Sequence, residues 1–328
     1  MRISRFTGAL SVLATVLATA FAAPAAHAET FPARPIRIVV GFPTGGAPDT
    51  LARIVSEKIS PSWGQPVVVD NKPGAGGNIG AEAVARAPGD GYTLALGTVG
   101  THSINGAVYS KLPYDMVKDF APVILLATTP NVLVVHPGVP AKTTAELIAL
   151  AKAKPGALTF GTPGIGTSPH VAGELFNTVA GVKITHVPYK GRAMAIPDLL
   201  GGHITMMFDN LPSALPVIKE GKLRALGVTS LKRSASAPDI PTLAEQGLNG
   251  FQADSWFAIF VPATTPKDVI AKLNTELNRI FTLPDVQAKL KTLGLDPVLG
   301  TPDALASFQK AEIAKWAKVV KDSGTTPQ

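Results

Sequence analysis

Apolar residues fall into two alternating rhythms along the chain. Short runs rich in β-branched residues, at 36–40, 67–69 and 92–96, read as strands. Between them, apolar residues recur at helical spacing. Residues 48–59 form one such stretch, with Leu51, Ile54, Val55 and Ile59 on one face and Pro48 suited to the first turn. Residues 78–87 form the next. Residues 132–135 are a fully apolar strand, and after it the pattern restarts: a helix over 143–154, a strand over 158–161, a helix over 169–179, and strands at 184–187, 204–208, 223–228 and 255–261. The tail from Pro266 reads as helical, with Phe308 and Trp316 packing on the core and a last short strand at 296–299. Alternation of this kind marks an α/β protein. The repeated order of strand, glycine loop and helix predicts parallel strands joined by right-handed crossovers.

The restart predicts two lobes. One comprises residues 29–131 and 255–328, and the other residues 132–254. The strand near Ser255 returns the chain to the first lobe. Two chain crossings make a hinge, and a hinge between α/β lobes makes a cleft.

The extreme N-terminus has its own signature. Arg2 and Arg5 precede an apolar run from Gly8 to Ala22, and Ala26-His27-Ala28 supplies small residues at a peptidase site. This predicts a signal peptide over residues 1–28 and an exported, periplasmic protein. The apolar run is shorter than the roughly 20 residues a membrane span needs, so no membrane insertion is expected after its removal. The chain has no cysteine, which excludes disulfides, thiol chemistry and a lipoprotein anchor. Its 328 residues are enough for two lobes with real cores. The net charge of +7 loses two units with the leader and is not concentrated in any lysine or arginine run. A nucleic-acid partner is therefore not expected, although the mild positive charge favours the approach of anions.

Candidate chemistry concentrates in glycine loops that follow strands. Phe42, Thr44, Gly45 and Gly46 lie in the first, and Gly74, Ala75, Gly76 and Gly77 in the second. Thr162, Gly164, Gly166, Thr167 and Ser168 lie in the third. Glycine admits positive φ and close ligand approach, and a helix N-terminus beyond it offers free N–H groups and partial positive charge. Residues 42–49, 74–78, 97–102 and 161–170 contain no lysine or arginine. A carboxylate held there would rest on main-chain N–H groups, water and the hydroxyls of Thr44, Thr98, Thr162, Thr167 and Ser168. Two roles compete at several positions. Ser168 before Pro169 suits an N-cap as well as a ligand contact. Asp49 suits the helix dipole as well as a ligand ammonium. Lys190, beside Tyr189, suits solvent as well as an anion, and His102 and His170 suit hydrogen bonding at the mouth. No metal set is expected from these two histidines, and no cofactor.

Enzyme signatures are missing. Gly166-Thr167-Ser168-Pro169-His170 lacks the closing glycine of a nucleophile elbow, and Gly164-Ile165-Gly166 lacks the third glycine of a dinucleotide fingerprint. Non-enzymatic binding is the expectation. An α/β hydrolase and a subunit that presents its ligand to a sensor protein are the alternatives.

Several segments, in order, carry a resemblance. They are Pro35-Ile36-Arg37-Ile38-Val39-Val40, Gly45-Gly46-Ala47-Pro48-Asp49, Asn71-Lys72-Pro73-Gly74-Ala75-Gly76-Gly77, Asp90-Gly91-Tyr92-Thr93-Leu94, Asp119-Phe120-Ala121-Pro122-Val123, His186-Val187-Pro188-Tyr189-Lys190-Gly191 and Pro241-Thr242-Leu243-Ala244-Glu245. With these the chain resembles the Bug receptors, the extracytoplasmic substrate-binding proteins of tripartite tricarboxylate transporters. The resemblance implies a periplasmic-binding-protein type II-like fold, two α/β lobes joined by two crossing strands. It also implies a small organic acid or amino acid as ligand, membrane transporter subunits as partners, and a carboxylate gripped by loops of both lobes with help from water. Carried onto this chain, the loops are 42–49 and 74–77 on one side, and 161–170 on the other, with Tyr189, Lys190, Gly191 and Asp209 nearby. A monomer is expected.

Overall fold

The structure is a computed structural model that describes residues 31–324 and 327. The expected signal peptide, residues 1–28, lies outside the described residues. Residues 34–328 separate from residues 1–33 as a unit, and the fold below is theirs.

The buried run Ile36–Val40 forms β1, followed by α1 (Ala47–Trp63), β2 (Val67–Asn71), α2 (Asn78–Ala85) and β3 (Thr93–Thr98). Leu51, Ile54, Val55 and Ile59 of α1 are all buried, as their spacing demands. β1 pairs in parallel with both β2 and β3. A π-helical turn, Gly100–Ile104, leads into the short α3 (Asn105–Val108). Next comes β4 (Phe120–Thr129), ten residues long, then β5 (Asn131–Val135), α4 (Thr144–Ala153), β6 (Thr159–Thr162) and α5 (Ser168–Ala180). β7 (Thr185–Pro188), α6 (Arg192–Leu200), β8 (Met206–Asn210), α7 (Leu211–Lys219) and β9 (Arg224–Val228) follow. The chain closes with β10 (Ser255–Pro262), α8 (Lys267–Phe281), α9 (Pro284–Leu293), β11 (Asp296–Pro297) and α10 (Pro302–Asp322).

The strands form two sheets, ordered β11-β4-β10-β3-β1-β2 and β7-β6-β8-β5-β9. The parallel pairing expected of the strand, glycine loop and helix order holds for β1 with β2 and β3 and for β6 with β7 and β8, but both sheets also contain antiparallel pairs. β10 runs antiparallel to β3 and β4, and β5 runs antiparallel to β8 and β9. The reason is the connection. β4 and β5 are separated only by Pro130, so the chain passes from one sheet straight into the other, with no room for a crossover helix. β10 brings it back, and Ser255 at its start sits opposite Thr129 at the end of β4. The two crossings therefore lie side by side. They are tied together by the Asn131 Nδ2–Ala253 O bond at 2.7 Å and by Thr229 Oγ1, which donates to the same carbonyl at 3.1 Å.

β4 was not expected as a strand. Pro122 interrupts its apolar run, and the sheet accommodates it where the β4–β10 register shifts, opposite Phe260. Trp316 of α10 is fully buried. Its indole N–H and that of Trp256 on β10 both donate to Glu312, at 2.9 and 3.1 Å, while Phe308 packs edge-on against Trp256. Among the described residues no helix is long and apolar enough to cross a membrane.

Candidate functional site: a cavity ringed by helix N-termini

A cavity of about 140 Å³ opens at the carboxyl ends of β1, β3, β6, β7 and β8, the edge where open α/β sheets place ligands. Residues 42–48 and 98–100 line it from the six-stranded sheet. Residues 163, 167–169, 191–193, 209–210 and 213 line it from the five-stranded one, and Ser255 and Phe257 of the returning strand complete the wall.

Four helices begin at this cavity: α1 after Gly46, α5 after Thr167, α6 after Gly191 and α7 after Asn210. None of the four has a side-chain cap. Elsewhere Thr143 caps α4 and Thr301 caps α10 through their hydroxyls. α8 and α9 are uncapped too, away from the cavity. It is therefore the convergence of four N-termini that distinguishes the site. The positive ends of four dipoles and the first-turn N–H groups that remain beside Pro48, Pro169 and Pro212 converge on one small space, although the Leu211 N–H that opens α7 is given to Pro130 O, and the arrangement favours an anion. Phe42, Pro43, Pro48, Pro163, Pro169 and Phe257 supply an apolar wall.

Of the expected site residues, Phe42, Thr44, Gly45, Gly46, Thr98, Thr167, Ser168 and Asp209 line the cavity. Ser168 is not the N-cap that its position before Pro169 suggested, because Thr167 takes that place. The Ser168 hydroxyl instead bonds to Ser255 and, at 3.4 Å, to Asn131, next to the chain crossings. The Thr167 hydroxyl donates to Gly164 O at 2.7 Å.

The other expected residues lie off the cavity, for identifiable reasons. Asp49 is buried against its own loop. It accepts from Gly45 N at 3.0 Å, Arg53 Nε at 2.9 Å and Asn71 Nδ2 at 3.0 Å, and the same Asn71 amide donates to Phe42 O. Burial raises its pKa, but these hydrogen bonds and Arg53 outweigh that and hold it below the usual carboxylate range. Asp49 therefore shapes the 42–46 loop, with its charge paired to Arg53. Asp49→Ala is expected to cost about 1–3 kcal/mol of stability, because the Gly45 N–H and the Asn71 amide lose their acceptor. It should also weaken ligand binding. Chemical denaturation and calorimetry on the same preparation check both effects.

His102 follows the π-helical turn into the core, where it stacks on Phe260 at 4.0 Å with no exposed surface. His170 accepts from Gly166 N at 3.3 Å, and Thr162 pairs with His186 Nε2 at 2.7 Å behind the third glycine loop. Tyr189 turns away to donate to Asp198 at 2.6 Å, and Lys190 is exposed beyond the wall. Burial holds the His102 and His170 imidazoles down at about 3, with His186 adding to the shift at His170. Burial also holds His186 at about 4. All three are neutral in the folded protein at pH 7, while the unfolded chain protonates near 6.5. Their contribution is therefore complete above pH 6.5 and lost progressively as pH falls towards 4 and 3, by at most about 1.4 kcal/mol per pH unit for each group. The melting temperature is expected to drop steeply between pH 6.5 and 4 in scanning calorimetry. A flat profile would contradict it.

The second and third glycine loops meet each other. Gly74, Ala75, Gly76, Gly77, Gly164 and Gly166 do not line the cavity. A Cβ on Gly76 would lie 2.4 Å from Ile165 O, and one on Gly100 would lie 2.7 Å from Gly166 O. Tyr109 Oη donates to Ile165 O at 3.1 Å. The Asn105 carboxamide, oriented with its nitrogen towards Gly166 O and Gly100 O, donates to them at 3.0 and 3.2 Å. Backbone thus packs on backbone across the two sheets beside the cavity. The third glycine loop fits there only because Gly76 and Gly100 have no side chains.

The glycine loops gave no hint of Arg192, Asn210, Ser213, Ser255 or Phe257 in the wall. The absence of cations in those loops is real, but Arg192 opens α6 at the cavity edge. Its Nε donates to Asp209 Oδ2 at 2.7 Å and its Nη2 to Ser213 O at 2.6 Å. Burial raises the Asp209 pKa, against the pull of Arg192 and the Asn210 N–H.

Residues 51–325 match the family model described as tripartite tricarboxylate transporter family receptor. Protein BugT of Bordetella pertussis (strain Tohama I) is 39% identical over 319 residues, which cover 97% of this chain and 98% of BugT. The solved structure of R. palustris Rpa4515 with adipate is 40% identical, with a TM-score of 0.88, and the match covers 91% of this chain and all of that one. MatC from Rhodopseudomonas palustris with bound malate is 35% identical, with a TM-score of 0.84, and the match covers 88% of this chain and all of that one.

Proposed function

This chain belongs to the tripartite tricarboxylate transporter family of receptors, and from that premise we propose that its cavity captures a small carboxylate in the periplasm and delivers it to a membrane transporter. The observation that carries the reading is the meeting of four uncapped helix N-termini in one small cavity. Those amides, with the Thr44 and Thr98 hydroxyls, hold the carboxylate, and water fills the remaining space. Lobe one is residues 29–131 and 255–328, and lobe two is residues 132–254. The ligand touches both, so it binds the closed form more tightly and shifts the population towards it. The closed form is what the transporter subunits receive. The leader over residues 1–28 directs export, the mature protein acts as a monomer, and it performs no catalysis. The acids bound by Rpa4515 and MatC, adipate and malate, support the ligand class.

Calorimetry of ligand-stripped protein against a panel of small organic acids tests the binding. At least one is expected to bind with a stoichiometry of one. No heat with any of them would end the reading. Loss of uptake of that acid in a deletion strain separates transport from presentation to a sensor.

A further inference from the structure

We propose that Asn131 is a positioning residue that carries the state of the cavity to the hinge. The inference rests on the receptor reading and adds to it the side chain through which a bound acid acts on closure. Asn131 is the first residue of β5, one step past Pro130, and has no exposed surface. It does not line the cavity. Its carboxamide nevertheless joins the cavity wall to both chain crossings. Nδ2 donates to Ala253 O at 2.7 Å, just ahead of the returning strand, and this bond fixes which end of the amide points where. Oδ1 therefore faces the wall, where it accepts from Asn210 Nδ2 at 2.8 Å and from the Ser168 hydroxyl at 3.4 Å.

The two wall residues reach the second crossing as well. Asn210 Nδ2 gives its other hydrogen to Ser255 Oγ at 2.6 Å, and Ser168 Oγ bonds to Ser255 Oγ. Each thus touches the outgoing strand at Asn131 and the returning strand at Ser255. Ser168 opens α5, and Asn210 is the N-cap residue of α7. Both line the cavity. The Leu211 N–H is given to Pro130 O at 3.1 Å, which seats the start of α7 on the same crossing. An acid that fixes these two helix starts also fixes Oδ1 of Asn131, and the planar amide passes the constraint to Ala253 O. Burial strengthens such a chain of bonds, because each acts in a low dielectric and polarises the next.

Asn131→Ala removes the link without stranding a partner. Ala253 O keeps the Thr229 hydroxyl at 3.1 Å, and Asn210 Nδ2 and Ser168 Oγ keep Ser255. The probe is the tightest binder among succinate, malate, adipate, citrate, glutamate and nicotinate. Its affinity is expected to fall roughly three- to thirtyfold in the variant. Stopped-flow tryptophan fluorescence should place the loss in faster dissociation, with the association rate within about twofold of native. Thr229→Val is the control. It cuts another bond to the same Ala253 carbonyl and strands the Asn131 N–H, which donates to Thr229 Oγ1 at 2.9 Å. Among the described residues the Thr229 side chain bonds only to Asn131, Ala253 and Asp254, none of them in the cavity wall. This control should lower the melting temperature at least as much as Asn131→Ala and leave the affinity within about twofold. Native affinity in Asn131→Ala, or an equal loss in Thr229→Val, overturns the inference and leaves the receptor reading standing. In the native protein the Asn131 side-chain amide resonances should move as the probe saturates. Unmoved resonances overturn the inference even if the variant fails to fold. If none of the six acids binds, both readings fail.

Discussion

Gly76→Ala is expected to weaken ligand binding by roughly ten- to a hundredfold while the ligand-free protein stays folded. The added Cβ meets the Ile165 carbonyl oxygen at 2.4 Å and the Tyr109 hydroxyl at 2.8 Å, and the first of these is backbone that cannot rotate away. Overpacking of this order costs about 1–3 kcal/mol, and here the cost falls only on the form in which the second and third glycine loops touch. Gly76 also has φ of 63°, so alanine adds backbone strain of about 1 kcal/mol. That strain is present with and without ligand and cancels from the affinity. Gly76 lies off the cavity, so a lost ligand contact does not explain the effect. Gly100→Ala is the strain-free companion, because Gly100 has no positive φ and its Cβ would meet Gly166 O at 2.7 Å. Calorimetry gives the affinity, and small-angle scattering with saturating ligand shows whether the particle still contracts. Native affinity in both variants would mean that these loops do not meet in the bound form.

Arg192→Met is expected to destabilise the protein by about 3 kcal/mol at pH 7, the largest loss anticipated for a single replacement in the cavity wall. It leaves the Asp209 carboxylate buried with only the Asn210 N–H at 3.0 Å. Burial already raises the Asp209 pKa in the presence of Arg192, and without the guanidinium it rises further. The sign follows from linkage. A group whose folded pKa lies above its unfolded value penalises the fold above the unfolded pKa, and the penalty disappears as pH falls and the group protonates. The deficit of Arg192→Met relative to the native protein should therefore shrink as pH is lowered from 7. Adding Asp209→Asn should recover much of it at pH 7. Urea denaturation of the single and double variants measures these differences, and a deficit that is independent of pH would contradict the explanation.

The sequence displays the fold where one face of an element is buried and hides it where geometry is set by a neighbour. β1, α1 and β5 are legible because their apolar residues keep strict spacing. β4 is hidden because Pro122 breaks its run, and only the bulged register against β10 shows how a proline fits there. Strand direction is hidden as well, since the step from β4 to β5 across Pro130 reads as one more turn. In the site, glycine loops point to the helix N-termini but not to their division of labour. Gly45 and Gly46 line the cavity, while Gly76 packs on the Ile165 carbonyl and Gly100 on that of Gly166, a difference no local pattern encodes. Asp49 carries the same ambiguity. Its partners Gly45 and Arg53 are local, but Asn71 comes from the next strand. Arg192 follows Gly191 and opens α6 after β7, with Tyr189 and Lys190 between, a strand, glycine and helix order like that of the other loops. Its neutralisation by Asp209 is a long-range pairing invisible in the sequence.

In the proposed complex, main-chain amides at converging helix N-termini anchor the carboxylate. A crystal structure of the complex with the best-bound acid tests it most directly. The expected result is a carboxylate inside the cavity, with its oxygens about 2.7–3.2 Å from first-turn N–H groups of α1 and α5, directly or through one water. An acid group found outside the cavity, or held only by lysine or arginine side chains with those amides untouched, would contradict it.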